Sequence, residues 1–253
     1  GVSRVADLIR SQTPEEQELE VKQRELDSLE NELADKELTL ATLEAELQAF
    51  EIEYIRRVGV KYAELDELLA QIAEAEAERA PDDPVKQESA QTARQQADET
   101  AEATGQVDID QPAVPFEPSE SMKNLFRKLV KQFHPDKGRT PEQKERYAEI
   151  FKAINEAYQS GDEARLRELA RELETSPDAV TGDSIAEQLV RAIRMLAQVR
   201  RRIEAIVAAI AELKQSELYL LRKQVNEAKS EGRDLLAEMA LAVQGKIDAA
   251  SQP

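Results

Sequence analysis

The sequence predicts an all-α protein: two long helices that pair as coiled coils, carrying one small helical module between them. Three observations lead there. Charged residues make up 34% of the 253, with only eight glycines, a composition suited to long solvated helices. Leucine and isoleucine recur every seven residues in two separate stretches, the mark of a coiled-coil seam. Aromatic residues are too few for a large globular core, and five of the ten Phe and Tyr fall between Phe126 and Tyr158. A compact core is therefore expected only there.

Residues 1–14 form an N-terminal segment, and the first coil spans 15–80. Thr13-Pro14-Glu15-Glu16 is a capping box, in which the threonine side chain and a glutamate satisfy free backbone donors at a helix start. Leu19, Leu26, Leu33, Leu40, Leu47 and Tyr54 then repeat by seven, with Leu29, Leu43 and Phe50 between them and Lys36 the exception. Near Val58-Gly59-Val60 the phase slips by four residues, and Tyr62, Leu65, Leu69 and Ile72 carry it on. An insertion of that size unwinds a supercoil locally.

Residues 81–120 hold five of the ten prolines and ten acidic against two basic side chains. Such a stretch has little apolar surface to offset the entropy of ordering, so it reads as a flexible acidic linker. A helix from about Val85 to Ala103 is the alternative.

Residues 121–175 form the compact module. Phe126, Leu129, Val130 and Phe133 recur at i, i+3, i+4 and i+7 and form one buried stripe. Lys123, Arg127 and Lys131 line another face, with Lys128 beside them. His134-Pro135-Asp136 follows, and proline drives the preceding residue out of the helical region, so the helix stops at about His134 and Asp136 faces water at a bend. Thr140-Pro141-Glu142-Gln143 opens a second helix as a capping box, with proline at its first position. Tyr147, Ile150, Phe151, Ile154, Ala157 and Tyr158 form its apolar stripe. Asp162 caps a further helix to about Leu173.

A connector, 176–183, leads to the second coil, 184–250. Ser184-Ile-Ala-Glu187 is another capping box. Leu189, Leu196, Ile203 and Ile210 repeat by seven, with Val199, Ile206 and Leu213 interleaved, and the pattern loosens through Leu220, Leu221, Val225, Leu235 and Met239. Residues 15–80 carry seven basic and twenty acidic side chains, whereas 184–249 carry eleven and nine. Pairing the first coil with the second relieves the repulsion that two copies of the first would suffer. Similar lengths suggest an antiparallel hairpin, closed near residues 80 and 184, that carries the module at its tip. Homo-oligomers of such hairpins are the rival arrangement.

Net charge of −18 argues against nucleic-acid binding, which depends on cations that displace phosphate counterions. Arg191, Arg194 and Arg200 to Arg202 are interleaved with no aromatic residue for stacking, and they read as the salt-bridging flank of a coil. Residues 122–139, by contrast, hold six Lys or Arg against Asp136 alone, a cationic island suited to docking an acidic surface. One histidine and no cysteine leave neither a metal-ligand set nor a cysteine nucleophile. No glycine-rich phosphate loop occurs. No enzymatic activity, catalytic residue, metal or cofactor is expected. The longest apolar run, Ala205 to Ala211, is far short of the ~20 residues that span a bilayer, and the chain reads as cytoplasmic.

The basic helix, His134-Pro135-Asp136 and the run Phe151-Lys-Ala-Ile-Asn-Glu-Ala-Tyr158 together resemble the J-domain of DnaJ-like co-chaperones over residues 121–173. The resemblance implies a partner, a DnaK-type heat-shock chaperone whose ATP hydrolysis the J-domain stimulates. It implies docking through His134, Pro135 and Asp136 and through Lys123, Arg127, Lys128 and Lys131, with the coiled-coil rod setting an unknown protein client or a location. Family members begin with a short helix ahead of the basic one. Here residues 110–118 hold three prolines and cannot form it. Apolar surface from the rod tip, or Val114 and Phe116, is expected to cover the flank left open. A structural coiled-coil adaptor with a degenerate J-like hairpin is the alternative reading.

Overall fold

A computed structural model describes residues 12–111, 113–174 and 183–252. The start of the N-terminal segment and nearly all of the connector at 176–183 lie outside the described residues. Every regular element among the described residues is helical: α1 (Pro14–Tyr54), a π-helical turn (Ile55–Gly59), α2 (Val60–Arg79), α3 (Pro84–Gly105), α4 (Glu120–Phe133), a 3-10 turn (Pro135–Lys137), α5 (Pro141–Gln159), α6 (Glu163–Glu174), α7 (Ile185–Lys214), α8 (Glu217–Ser230) and α9 (Leu235–Ala250). The all-α class holds.

The caps lie where the sequence places them. The hydroxyls of Thr13, Thr140 and Ser184 accept from the backbone N–H groups of Glu16, Gln143 and Glu187, and Asp162 accepts from Arg165. Gln143 differs in one detail: its side-chain oxygen accepts from the Arg139 N–H at 2.7 Å rather than from Thr140. The phase slip near Gly59 is absorbed by the π-helical turn, which holds Val58 fully buried. A wider turn takes up an added residue without breaking the helix.

The chain divides into two compact units, residues 1–45 with 116–213 and residues 46–115 with 214–253. In the first, α4, α5 and α6 enclose a core of Phe126, Leu129, Val130, Phe133, Tyr147, Ile154, Tyr158 and Leu166. Ala34, Leu38 and Ala41 of α1 complete this core. Phe116 packs edge-on against Tyr158, ring centroids 5.3 Å apart, whereas Val114 is 80% exposed. The flank left by the absent first helix is thus covered by the side of α1 and by Phe116, not by a rod tip or by Val114. On another face of α1, Leu33 clusters with Val199 and Ile206 of α7.

In the second unit, α2 and α3 form an antiparallel hairpin. Buried Ala70 and Ala77 on α2 and Ala90 and Ala97 on α3 keep it closely packed. Arg94 of α3 bridges Glu67 and Glu74, and the Thr100 hydroxyl donates to Asp66 at 2.7 Å. The segment expected as a flexible linker is therefore mostly an ordered helix, the alternative noted above. Alanines give it a close-packing face, and Asp83 with Pro84 starts it.

Two further expectations are corrected. The second coil is broken into three helices, because Ser216 and Asp234 each cap a new start and Gly232 takes the left-handed φ of 79° that ends α8. The coils also pair in parallel. In the second unit Glu46 meets Arg222, Arg57 meets Asp234, and Lys61 meets Gln244. Leu65 packs with Val243 and Ile247, and Ala250 lies against this cluster. In the first unit Glu25 pairs with Arg200 and Glu37 with Arg202, the same sense. Opposite net charge attracts helices in either direction, so charge balance identified the partner and not its polarity.

Candidate partner-docking site

His134 ends α4 with φ −62° and ψ 138°, the extended conformation that Pro135 imposes. Pro135, Asp136 and Lys137 form the 3-10 turn at the bend between α4 and α5. The Lys137 and Gly138 N–H groups donate to the carbonyls of His134 and Pro135 at 2.9 and 3.1 Å. Gly138 is required by closeness: a Cβ there would sit 2.7 Å from the Lys144 backbone. The loop is held firmly against the start of α5.

The histidine is not displayed to solvent. His134 is 3% exposed, and its ring lies 5.3 Å from that of Phe151. Its Nδ1 accepts from the Asp136 N–H at 3.1 Å, which leaves the ring hydrogen on Nε2. That nitrogen lies 3.5 Å from Oε1 of Glu37; it makes no aligned hydrogen bond among the described residues, so the contact is electrostatic. Glu37 is itself 3% exposed and accepts from Arg202 Nε at 2.6 Å. Burial alone would raise the Glu37 carboxyl, but His134 and the Arg202 guanidinium outweigh it and hold the carboxyl below the usual glutamate range. Asp136, expected to face water, is half-buried, with Oδ2 3.7 Å from His134 Nδ1.

The basic face is real, and most of it is engaged. Arg127 Nε donates to Asp35 at 2.8 Å, and Lys131 reaches Asp27 at 2.8 Å. Lys123 pairs with Glu120 on its own helix at 3.3 Å, and Lys128 is exposed. Lys137 donates both to the Lys131 carbonyl, at 2.9 Å, and to Glu30, at 3.0 Å. The structure brings His134, Asp136, Arg127, Lys131 and Lys137 together on the side of α1. Arg200 and Arg202 also pair with α1 acids, as a salt-bridging flank should.

Sequence reasoning missed the α1 side of this site. The signal was present: Ala34, Leu38, Ala41 and Ala45, all buried, recur at i, i+4, i+7 and i+11, off the leucine seam. That second apolar stripe brings Glu37 to the histidine. Among the described residues no acidic or histidine cluster could hold a metal ion, and no helix is long and apolar enough to cross a membrane.

No curated protein and no solved structure matches the chain significantly. Residues 115–169 match the family model of the DnaJ domain, a stretch that runs from the proline before Phe116 to Leu169 of α6. The match begins where the polar segment reaches the core and contains the whole bend between α4 and α5. Sequence match and geometry fall on the same part of the chain, and residues 115–169 are a J-domain.

Proposed function

We propose that this protein is a J-domain co-chaperone, docking on a DnaK-type heat-shock chaperone and stimulating its ATPase while itself hydrolysing nothing. The observation that carries the reading is the His134-Pro135-Asp136 turn, fixed between a basic α4 and the close-packed start of α5 within the stretch that matches the DnaJ domain. In this reading Asp136 pairs with a cation on the chaperone. His134 and Pro135 set the turn, and Lys123, Arg127, Lys128 and Lys131 meet an acidic face. The helices outside 115–169 set the client or the location, in the cytoplasm, a reducing setting that suits a chain without cysteine.

Single-turnover ATP hydrolysis by the host's DnaK-type chaperone tests this. The full chain should accelerate it, and His134→Gln or Asp136→Asn should remove the effect without loss of helicity. One observation favours the second reading, a coiled-coil adaptor: His134 is buried and its basic neighbours are paired within the chain. No acceleration by the full chain, nor by a variant with Asp27, Glu30 and Asp35 of α1 changed to lysine, would support the adaptor.

A further inference from the structure

We infer that α1 masks the docking face of the J-domain, so that the chain as folded is held in a low-affinity state by its own acidic helix. The inference rests on the co-chaperone reading above and adds a regulation to it.

Asp27, Glu30 and Asp35 meet Lys131, Lys137 and Arg127 at 2.8 to 3.0 Å. Glu37 lies against His134 beneath them. Two of the four cations assigned to an acidic partner, Arg127 and Lys131, and Lys137 beside them are thus already engaged by acidic groups along one side of α1. The helix serves as an internal stand-in for the partner. Chaperone and α1 cannot both occupy Arg127, Lys131 and the His134 turn, so docking requires that α1 shift.

The contact is suited to shifting. The carboxylates of Asp27 and Asp35 are 64% exposed, and ion pairs at such a surface are individually weak and screened by salt. An acidic surface of similar charge density competes with them on even terms. Only three α1 side chains among those buried in the module's core, Ala34, Leu38 and Ala41, anchor the helix by burial, and two of these are alanines. Lys128, on α4 beside Arg127, stays exposed, a point of first contact before α1 moves.

The test uses the full chain with Asp27→Lys, Glu30→Lys and Asp35→Lys combined, which sets α1 against α4 by like charge. Affinity for the host's DnaK-type chaperone with ATP should rise about tenfold or more over the unaltered chain. His134→Gln added to the triple variant should abolish the binding. Equal affinity of the two chains, both sensitive to His134→Gln, would overturn the masking and leave the co-chaperone reading standing. Binding by neither would overturn the co-chaperone reading and the masking with it. Should the triple variant lose helicity, the unaltered chain still decides. Acylation of its lysines by an amine reagent, followed by peptide mass spectrometry, should find Lys131 and Lys137 several-fold slower than Lys128. Equal rates would show the face to be open and sink the inference.

Discussion

Glu37 lies buried between His134 and Arg202 and ties the His134-Pro135-Asp136 turn to α1. A buried carboxylate is tolerated only with partners, and here they are Arg202 and His134. Replacing it with alanine leaves the buried imidazole without the carboxylate facing its Nε2, a loss expected to cost roughly 1–3 kcal/mol of stability, read as a lower urea midpoint at pH 7. Its carboxyl lies below the usual range in the folded chain. The stabilisation is therefore fully present above the unfolded value of about 4.3 and is lost as pH falls through the lowered folded value. Urea midpoints followed from pH 7 to pH 3 should fall less steeply for Glu37→Gln than for the unaltered chain. The alanine-rich stripe marks the face beside it but not Glu37 itself among the twenty acids of residues 15–80, because its burial depends on His134 and Arg202, both far away in sequence.

Helix starts and the bend at Pro135 were legible because each depends on a few neighbouring residues: a hydroxyl and a carboxamide at Thr140 and Gln143, a proline after His134. Ends and partners were less so. The break after α7 needs only the Ser216 cap, a weak signal inside a heptad pattern. The α3 helix was masked by the acids and prolines on either side of its alanines. The face of α1 that meets the module was hidden by the stronger leucine seam beside it. Leu38 gives the test at this scale. It is 6% exposed within the module's core, so Leu38→Ala should cost about 2–4 kcal/mol. Hydrogen exchange should quicken in α4 and α5, although the substitution lies on α1. Val114→Ser, at a side chain 80% exposed, should change neither.

Across the molecule, the two kinds of charge are divided between segments that meet. The acidic first coil finds cations on α4, α7 and α8, namely Arg127 and Lys131, Arg200 and Arg202, and Arg222, whereas at Arg57 it supplies the cation and Asp234 the acid. Charge balance pointed to pairing of the first coil with the second, whereas the antiparallel direction read from their similar lengths is corrected within each unit. Pairs of spin labels decide both points within each unit. Labels at Ser28 and Arg201, and separately at Glu64 and Lys246, should each report a short distance that persists when labelled protein is diluted with unlabelled. A signal lost on dilution would mean that the helices pair between chains, and long distances at both sites would mean that the parallel register is wrong.

The hydroxyl pair Thr42–Tyr158, 2.7 Å apart, joins residues 116 positions apart in sequence, and the order of synthesis gives that separation a duration. At a ribosomal rate of ~5–20 residues per second, α1 emerges about 6–23 s before Tyr158 does. Through that interval its Ala34–Leu38–Ala41 face has nothing to cover it. The alanines keep the uncovered patch small, and the acids around it repel other nascent copies. Contacts so distant in sequence also close slowly, so refolding of α4 to α6 should lag behind the formation of helix in α1. A domain matched over residues 115–169 thus waits, in folding, on a helix made long before it.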